Sequence, residues 1–248
     1  MGLFDFLKKK PVDSAAVSTA APQKIQVSLE KSNENLGKVL VNLSKNCSVD
    51  LSKHTARVAM AMDFSGSMDR LYYNGEVQDI ITRLLPIALR FDDNGELESW
   101  MFSNECKRIE PVTKSNYENY VGNVMLTSSL RMAGTNYSPC LKSIVKLYQK
   151  KEPSTIPAFV IFITDGECFD SDKKETDQII RELSNYNIFV QFVGIGRENF
   201  NYLRKLDDLS GRTHDNTGFI KVSDIAEMTD DELYTNLLSQ YKDWLNMR

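Results

Sequence analysis

Three apolar runs constrain this chain more than any other feature: Val58–Met62, Phe159–Ile163 and Ile188–Val193. Each is too short for a helix and lacks the strict alternation of a one-sided strand. Strands of this kind are covered on both faces, as in parallel sheets. Helical periodicity fills the chain between and around them. Val77, Ile80, Ile81, Leu84, Leu85, Ala88 and Phe91 form one apolar face, in which Pro86 is expected to interrupt and kink the helix. Ile179, Ile180 and Leu183 form a second face. Leu233, Leu237, Leu238, Tyr241, Trp244 and Leu245 form a terminal stripe that reads as packing against the domain. Leu97–Phe102 and Cys106–Ile109 are separated only by Ser103-Asn104-Glu105, so this pair must be antiparallel. Further helices are expected near 115–124, 138–150 and 199–209, with an edge strand at Phe219–Val222. Strands alternating with helices imply an α/β architecture, a mainly parallel sheet with helices on both faces.

The N-terminal part is different. Residues 1–24 read as a flexible tail and linker, because 11–24 are rich in Pro, Ala, Ser and Thr and carry no apolar period. Leu3, Phe4, Phe6 and Leu7 beside three lysines read as a frayed tail, with a peripheral anchor as the alternative. Residues 25–54 form an extension packing on the domain, with a short strand at Ile25–Leu29 and a helix near 33–46 built on Leu36, Val39, Leu40 and Leu43. The domain itself spans 55–248 and includes the C-terminal helix.

A net charge of −4 gives no broad surface for nucleic acid. The sequence has no apolar run of membrane-spanning length. The first residues fit neither a secretory signal nor the myristoylation pattern. The four cysteines form no CxxC pair, so free thiols and a cytoplasmic location are expected. His54 and His214 read as solvated surface residues, Cys168 as a loop thiol without a role, and Asp92-Asp93-Asn94-Gly95 and Gly194-Ile195-Gly196 as turns.

The functional signal lies at the ends of the strands. Asp63-Phe64-Ser65-Gly66-Ser67 follows the first apolar run, Thr164-Asp165-Gly166 closes the second, and Ala133-Gly134-Thr135 lies between. In open α/β sheets, ligands bind beyond the carboxyl ends of strands where the strand order reverses. The order 3-2-1-4-5-6, with strand 3 antiparallel, makes the strands ending at Asp63 and Asp165 neighbours at that reversal. Asp63, Ser65, Ser67, Thr135 and Asp165 then supply oxygen ligands suited to a hard divalent cation, Mg²⁺ or else Mn²⁺ or Ca²⁺. Gly66 allows the tight turn between the serines. A helix starting directly after the loop is expected to add its positive end. Two carboxylates against a dication leave it electrophilic, and an open position is expected to take a carboxylate from a partner protein.

These segments resemble the metal-ion-dependent adhesion site of von Willebrand factor type A domains, over about residues 55–225. The resemblance implies a Rossmann-like doubly wound fold and a Mg²⁺ or Mn²⁺ site that mediates protein binding. It also implies direct ligation by Ser65, Ser67 and Thr135, with Asp63 and Asp165 often acting through water. Met1-Gly2-Leu3-Phe4 and Val27–Lys31 make the chain similar to bacterial von Willebrand A proteins of the tellurium-resistance type. Ala133 stands where a glycine is common in the family.

Three functions compete. A binding module makes and breaks no bond. A Mg²⁺-dependent phosphohydrolase needs a second carboxylate two residues after its nucleophilic Asp, where this chain has Ser65. A structural subunit would use the metal only as a brace. The first is the expectation, so the chain is read as a non-enzyme; its oligomeric state is not legible.

Overall fold

The computed structural model describes residues 28–45 and 48–247. Six strands form one sheet: β1 (Arg57–Asp63), β2 (Leu97–Phe102), β3 (Cys106–Val112), β4 (Ala158–Thr164), β5 (Ile188–Ile195) and β6 (Thr217–Val222). Their order is β3-β2-β1-β4-β5-β6, and all neighbours are parallel except β2 and β3. β1, β4 and β5 are buried almost throughout, as their unbroken apolar runs require.

Among the described residues seven α-helices cover this sheet: α1 (Leu29–Ser44), α2 (Asp69–Tyr73), α3 (Glu76–Phe91), α4 (Ser138–Val145), α5 (Asp170–Leu183), α6 (Asn201–Asp207) and α7 (Asp230–Asn246). Alternation along each strand divides the core in two. Val58, Met60, Met62, Phe159 and Ile161 face the layer of α1, α3 and α7. Ala59, Ala61, Trp100, Val160 and Phe162 face the layer of α4, α5 and α6. The terminal stripe of α7 is buried at Leu233, Leu237, Leu238, Tyr241 and Trp244.

Several local expectations change. The strand at Ile25–Leu29 fails where it is described: Ser28 caps α1, its hydroxyl accepting the Lys31 N–H, and Leu29 is already helical. Ile25–Val27, the tail at 1–24 and its Leu3-Phe4-Phe6-Leu7 segment lie outside the described residues. A serine cap with Glu30 in the first turn favours the helix. Pro86 does not interrupt α3, which runs through it with both flanking turns buried. The expected helix at 115–124 is a set of turns ending in one wide π-helical turn, Val121–Met125, because Asn119 adopts the left-handed conformation (φ 51°). The helix from 138 is α-helical to Val145 and then widens into a π turn, Lys146–Lys151.

His54 is not solvated. It is half-buried, its Nε2 lies 2.8 Å from the Tyr241 hydroxyl, and its ring meets Phe91 edge-on. Burial holds its imidazole below the usual histidine pKa. His214 is exposed.

The layer of α1, α3 and α7 is locked by one buried charge. Arg83, 1% exposed, donates to Asp230 at the start of α7 (2.7 Å) and to the carbonyls of Ile225 and Met228. Asp230 also accepts from Ser32 (2.9 Å) and Asn35 (3.2 Å) of α1. Removing one partner strands the other in a medium that solvates it poorly. Asp230→Ala is therefore expected to lower the unfolding free energy by about 3 kcal/mol. Ser32→Ala, which removes one neutral donor, should cost about 1 kcal/mol. Urea denaturation of the two variants checks the ranking.

Candidate metal centre

Asp63 is the last residue of β1 and is fully buried. One carboxylate oxygen accepts the Ser65 N–H (2.7 Å), which folds the chain into a tight turn. The other accepts the Thr164 hydroxyl (2.5 Å). β1 and β4 run in register up to Met62 opposite Ile163, so the next residues, Asp63 and Thr164, meet at the strand ends. The Tyr72 hydroxyl donates to the Asp63 carbonyl (2.9 Å), and the Phe64 N–H to the Phe102 carbonyl.

The serine loop joins both flanking segments. Ser65 Oγ lies 3.0 Å from Ser67 Oγ, and the Ser67 hydroxyl donates to Asp165 (2.8 Å). Ser65 forms a parallel bridge with Ala133, whose carbonyl accepts the Gly66 N–H (2.9 Å). The structure thus brings Asp63, Ser65, Ser67 and Asp165 into one hydrogen-bonded group. Thr135, two residues beyond Ala133, is nine-tenths buried and joined to that group through backbone.

The Thr135 loop is held from three sides. The Thr135 carbonyl accepts the Phe169 N–H (3.0 Å), and the Asn136 N–H donates to the Ser103 carbonyl (2.9 Å). Asp172 of α5 accepts the N–H groups of Tyr137 (2.6 Å) and Ser138 (3.1 Å). Gly134 is required by packing, because a Cβ there would collide with the Phe169 ring and crowd Asn104. Ala133 in place of a second glycine is accommodated by the bridge to Ser65.

Two further residues belong to the site. Thr164 orients Asp63, and a strand-end hydroxyl opposite a carboxylate is legible only once the β1–β4 register is known. Phe169 roofs Gly134 while leaving half its surface exposed. The expected helix after the serine loop is broken into a 3₁₀ turn (Gly66–Met68), α2 and α3, with Gly75 at φ 88° between the last two. No long helix starts at the loop, so the expected dipole contribution is absent there. Asn74-Gly75 is the stop signal that separates α2 from α3.

The electrostatics favour a cation. Burial pushes Asp63 up to about 7, with the nearby Asp165 charge adding to the shift. Burial also raises Asp165, helped by Glu198. Among the described residues no three His, Cys, Asp or Glu side chains cluster to hold a metal. A site here must draw on hydroxyls, and two carboxylates with serine and threonine oxygens suit a hard dication better than a soft one. A cleft of about 360 Å³ opens beside Ser67 and Asp165, walled by Arg70, Glu76, Arg197 and Asp224.

The vWA-TerF-like family model, described as the vWA found in the TerF C terminus, matches residues 55–248. The uncharacterized protein YcbR of Bacillus subtilis (strain 168) is 44% identical over 197 residues, 79% of each chain. Among solved structures, proximal thread matrix protein 1 of the mussel byssus, with a zinc-occupied MIDAS motif, aligns with TM-score 0.54 at 12% identity. That alignment covers 77% of this chain and 46% of the mussel protein, so this chain spans about half its length. An aerotolerance-related membrane protein of Bacteroides fragilis NCTC 9343 aligns with TM-score 0.52 at 16% identity, over 73% of this chain and 98% of that one. At these identities the structural likeness is one of fold.

Two outcomes are expected. A carboxyl whose folded pKa lies above its unfolded value favours folding below the unfolded pKa, and that contribution is lost as pH rises through the folded pKa. For Asp63 the window runs from about 4 to about 7. If a dication takes the place of the proton, a rise in thermal midpoint with Mg²⁺ is expected that is larger at pH 8 than at pH 6 and absent in Asp63→Asn. Gly134→Ala should lower the thermal midpoint, and adding Phe169→Ala should recover much of the loss by removing the ring the new methyl meets; differential scanning calorimetry reads both.

Proposed function

We propose that this chain, which belongs to the vWA-TerF-like family, is a metal-dependent protein-binding module that holds Mg²⁺ with Asp63, Ser65, Ser67, Thr135 and Asp165. The bound ion takes a carboxylate from a partner protein. One observation carries the reading: the Ser65–Ser67–Asp165 hydroxyl and carboxylate chain reaches an open cleft at Ser67 and Asp165, next to a buried Asp63 whose carboxyl burial pushes up to about 7. Arg70 and Arg197 line the same cleft alongside Glu76, Glu198 and Asp224, and offer cationic partners to an incoming acidic side chain.

The same residues support binding over catalysis. The position two beyond Asp63, where a phosphohydrolase would place its general acid, is Ser65, and its hydroxyl is engaged with Ser67. A cytoplasmic setting agrees with Cys106, Cys140 and Cys168 all being free thiols. Among the described residues no helix is long and apolar enough to cross a membrane. The family's link to tellurium resistance makes a bacterial stress-resistance system the proposed setting.

Affinity capture from native lysate tests the reading, with wild type and Asp165→Ala compared in Mg²⁺ and in chelator. Partners retained by wild type with Mg²⁺ should be lost on chelation and lost in the variant. Unchanged capture after chelation, together with a lowered thermal midpoint, would show a metal that only braces the fold. Metal-dependent phosphatase turnover that disappears in Asp63→Ala would overturn the binding reading in favour of an enzyme.

A further inference from the structure

Two thiols, Cys106 and Cys140, meet the same core layer behind the Thr135 loop, and nothing in the proposed binding reaction uses them. Cys106 is the first residue of β3, directly after the β2–β3 turn, and pairs with Phe102 across the hairpin. The pairing places its side chain on the face of Phe102, against the core layer that contains Cys140. Cys140 lies in the first turn of α4, five positions beyond Thr135, and α4 packs on both β2 and β3. Trp100 of β2 donates its indole N–H to Ser143 (2.9 Å), which fixes α4 against the hairpin. Cys106 packs against the core cluster that contains Cys140. Cys140 is fully buried, whereas Cys106 is partly exposed.

We propose that Cys106 and Cys140 form a reversible redox pair, oxidised by a peroxide to an intramolecular disulfide that ties the β2–β3 hairpin to the start of α4. The asymmetry of exposure assigns the roles. Solvent reaches Cys106, whose thiolate attacks hydrogen peroxide: the S–O bond forms, the O–O bond breaks, and the departing hydroxide leaves as water after protonation. Cys140 then attacks the Cys106 sulfenic sulfur: the S–S bond forms, the S–O bond breaks, and the oxygen leaves with the Cys140 proton as a second water. One peroxide is reduced and two thiols are oxidised. Burial raises the Cys140 thiol well above its usual pKa, which argues against it as the first group to attack peroxide.

The bond would close a covalent loop around the segment that carries Thr135. Just after Thr135 it is already held to the hairpin turn by the Asn136 N–H on the Ser103 carbonyl. The disulfide would add a covalent link four residues further on, in the first turn of α4. This inference concerns the thiols alone and does not require that the site bind a metal.

The test is peroxide treatment of the full native chain, alkylation of remaining thiols, and non-reducing tryptic mass spectrometry. The expected product joins Phe91–Lys107 to Met132–Lys142, lacks two hydrogens, and returns to the separate peptides with dithiothreitol. The oxidised protein should melt at a higher temperature than the reduced one. In Cys140→Ser, Cys106 should accumulate as a sulfenic acid trapped by dimedone; in Cys106→Ser, Cys140 should stay reduced. The proposal is overturned if Cys106 passes to sulfinic or sulfonic acid in the wild type with no linked peptide. It is equally overturned if the linked peptide joins Cys47, Cys168 or a second chain, or if Cys140 oxidises as fast without Cys106.

Discussion

The structure depends on a carboxylate buried where it can least be solvated. Asp63 ends the central strand at the point where the sheet reverses its order, with β2 on one side and β4 on the other. A group placed there must be given hydrogen bonds by its neighbours or lose its charge. Ser65 and Thr164 provide two. They orient the oxygens without neutralising them, which is why burial still dominates the Asp63 carboxyl. The tight serine turn and the Thr164 hydroxyl opposite keep that one carboxylate in place, and the packed Thr135 loop closes around them.

The surrounding loops are rigid for different reasons. The serine loop is held by backbone pairing to Ala133, the Asp165 loop by Tyr137, whose hydroxyl donates to the Gly166 carbonyl (2.5 Å), and the Thr135 loop by Asp172 and Phe169. Each loop is fixed by a residue from another segment, so the geometry of any one oxygen donor depends on all three. Such mutual bracing preorganises a binding site, because little ordering remains to oppose ligand binding.

Much of this was legible from residue pattern. The unbroken runs at Val58–Met62 and Phe159–Ile163 identified two-sided strands, and the short Ser103–Glu105 connection fixed the one antiparallel pair. The strand order followed from asking which neighbours let Asp63 and Asp165 meet. What escaped was whatever depends on register or on a neighbour's ring. Thr164 looks like an ordinary strand end until it is set opposite Asp63. Gly134 looks like a flexible turn until Phe169 is seen above it. The proximity of Cys106 and Cys140 is a matter of which face of the hairpin α4 covers, and no spacing encodes it. The helix at 115–124 failed because Asn119 takes a left-handed backbone that periodicity does not register.

The boundary of the fold lies further upstream than the family match, which begins at residue 55. α1 starts at Leu29 and buries Leu36, Val39 and Leu40 against the layer that also holds α3 and α7. Its polar residues are no less integrated, since Ser32 and Asn35 share the carboxylate of Asp230 with Arg83. A chain cut at the family boundary would uncover that apolar layer and leave the guanidinium with a less constrained partner. The first turn of α7 therefore answers to α1 and α3 together. A change in how α1 seats would reach β5 and β6, on which α7 packs, and through them the Arg197 wall of the cleft.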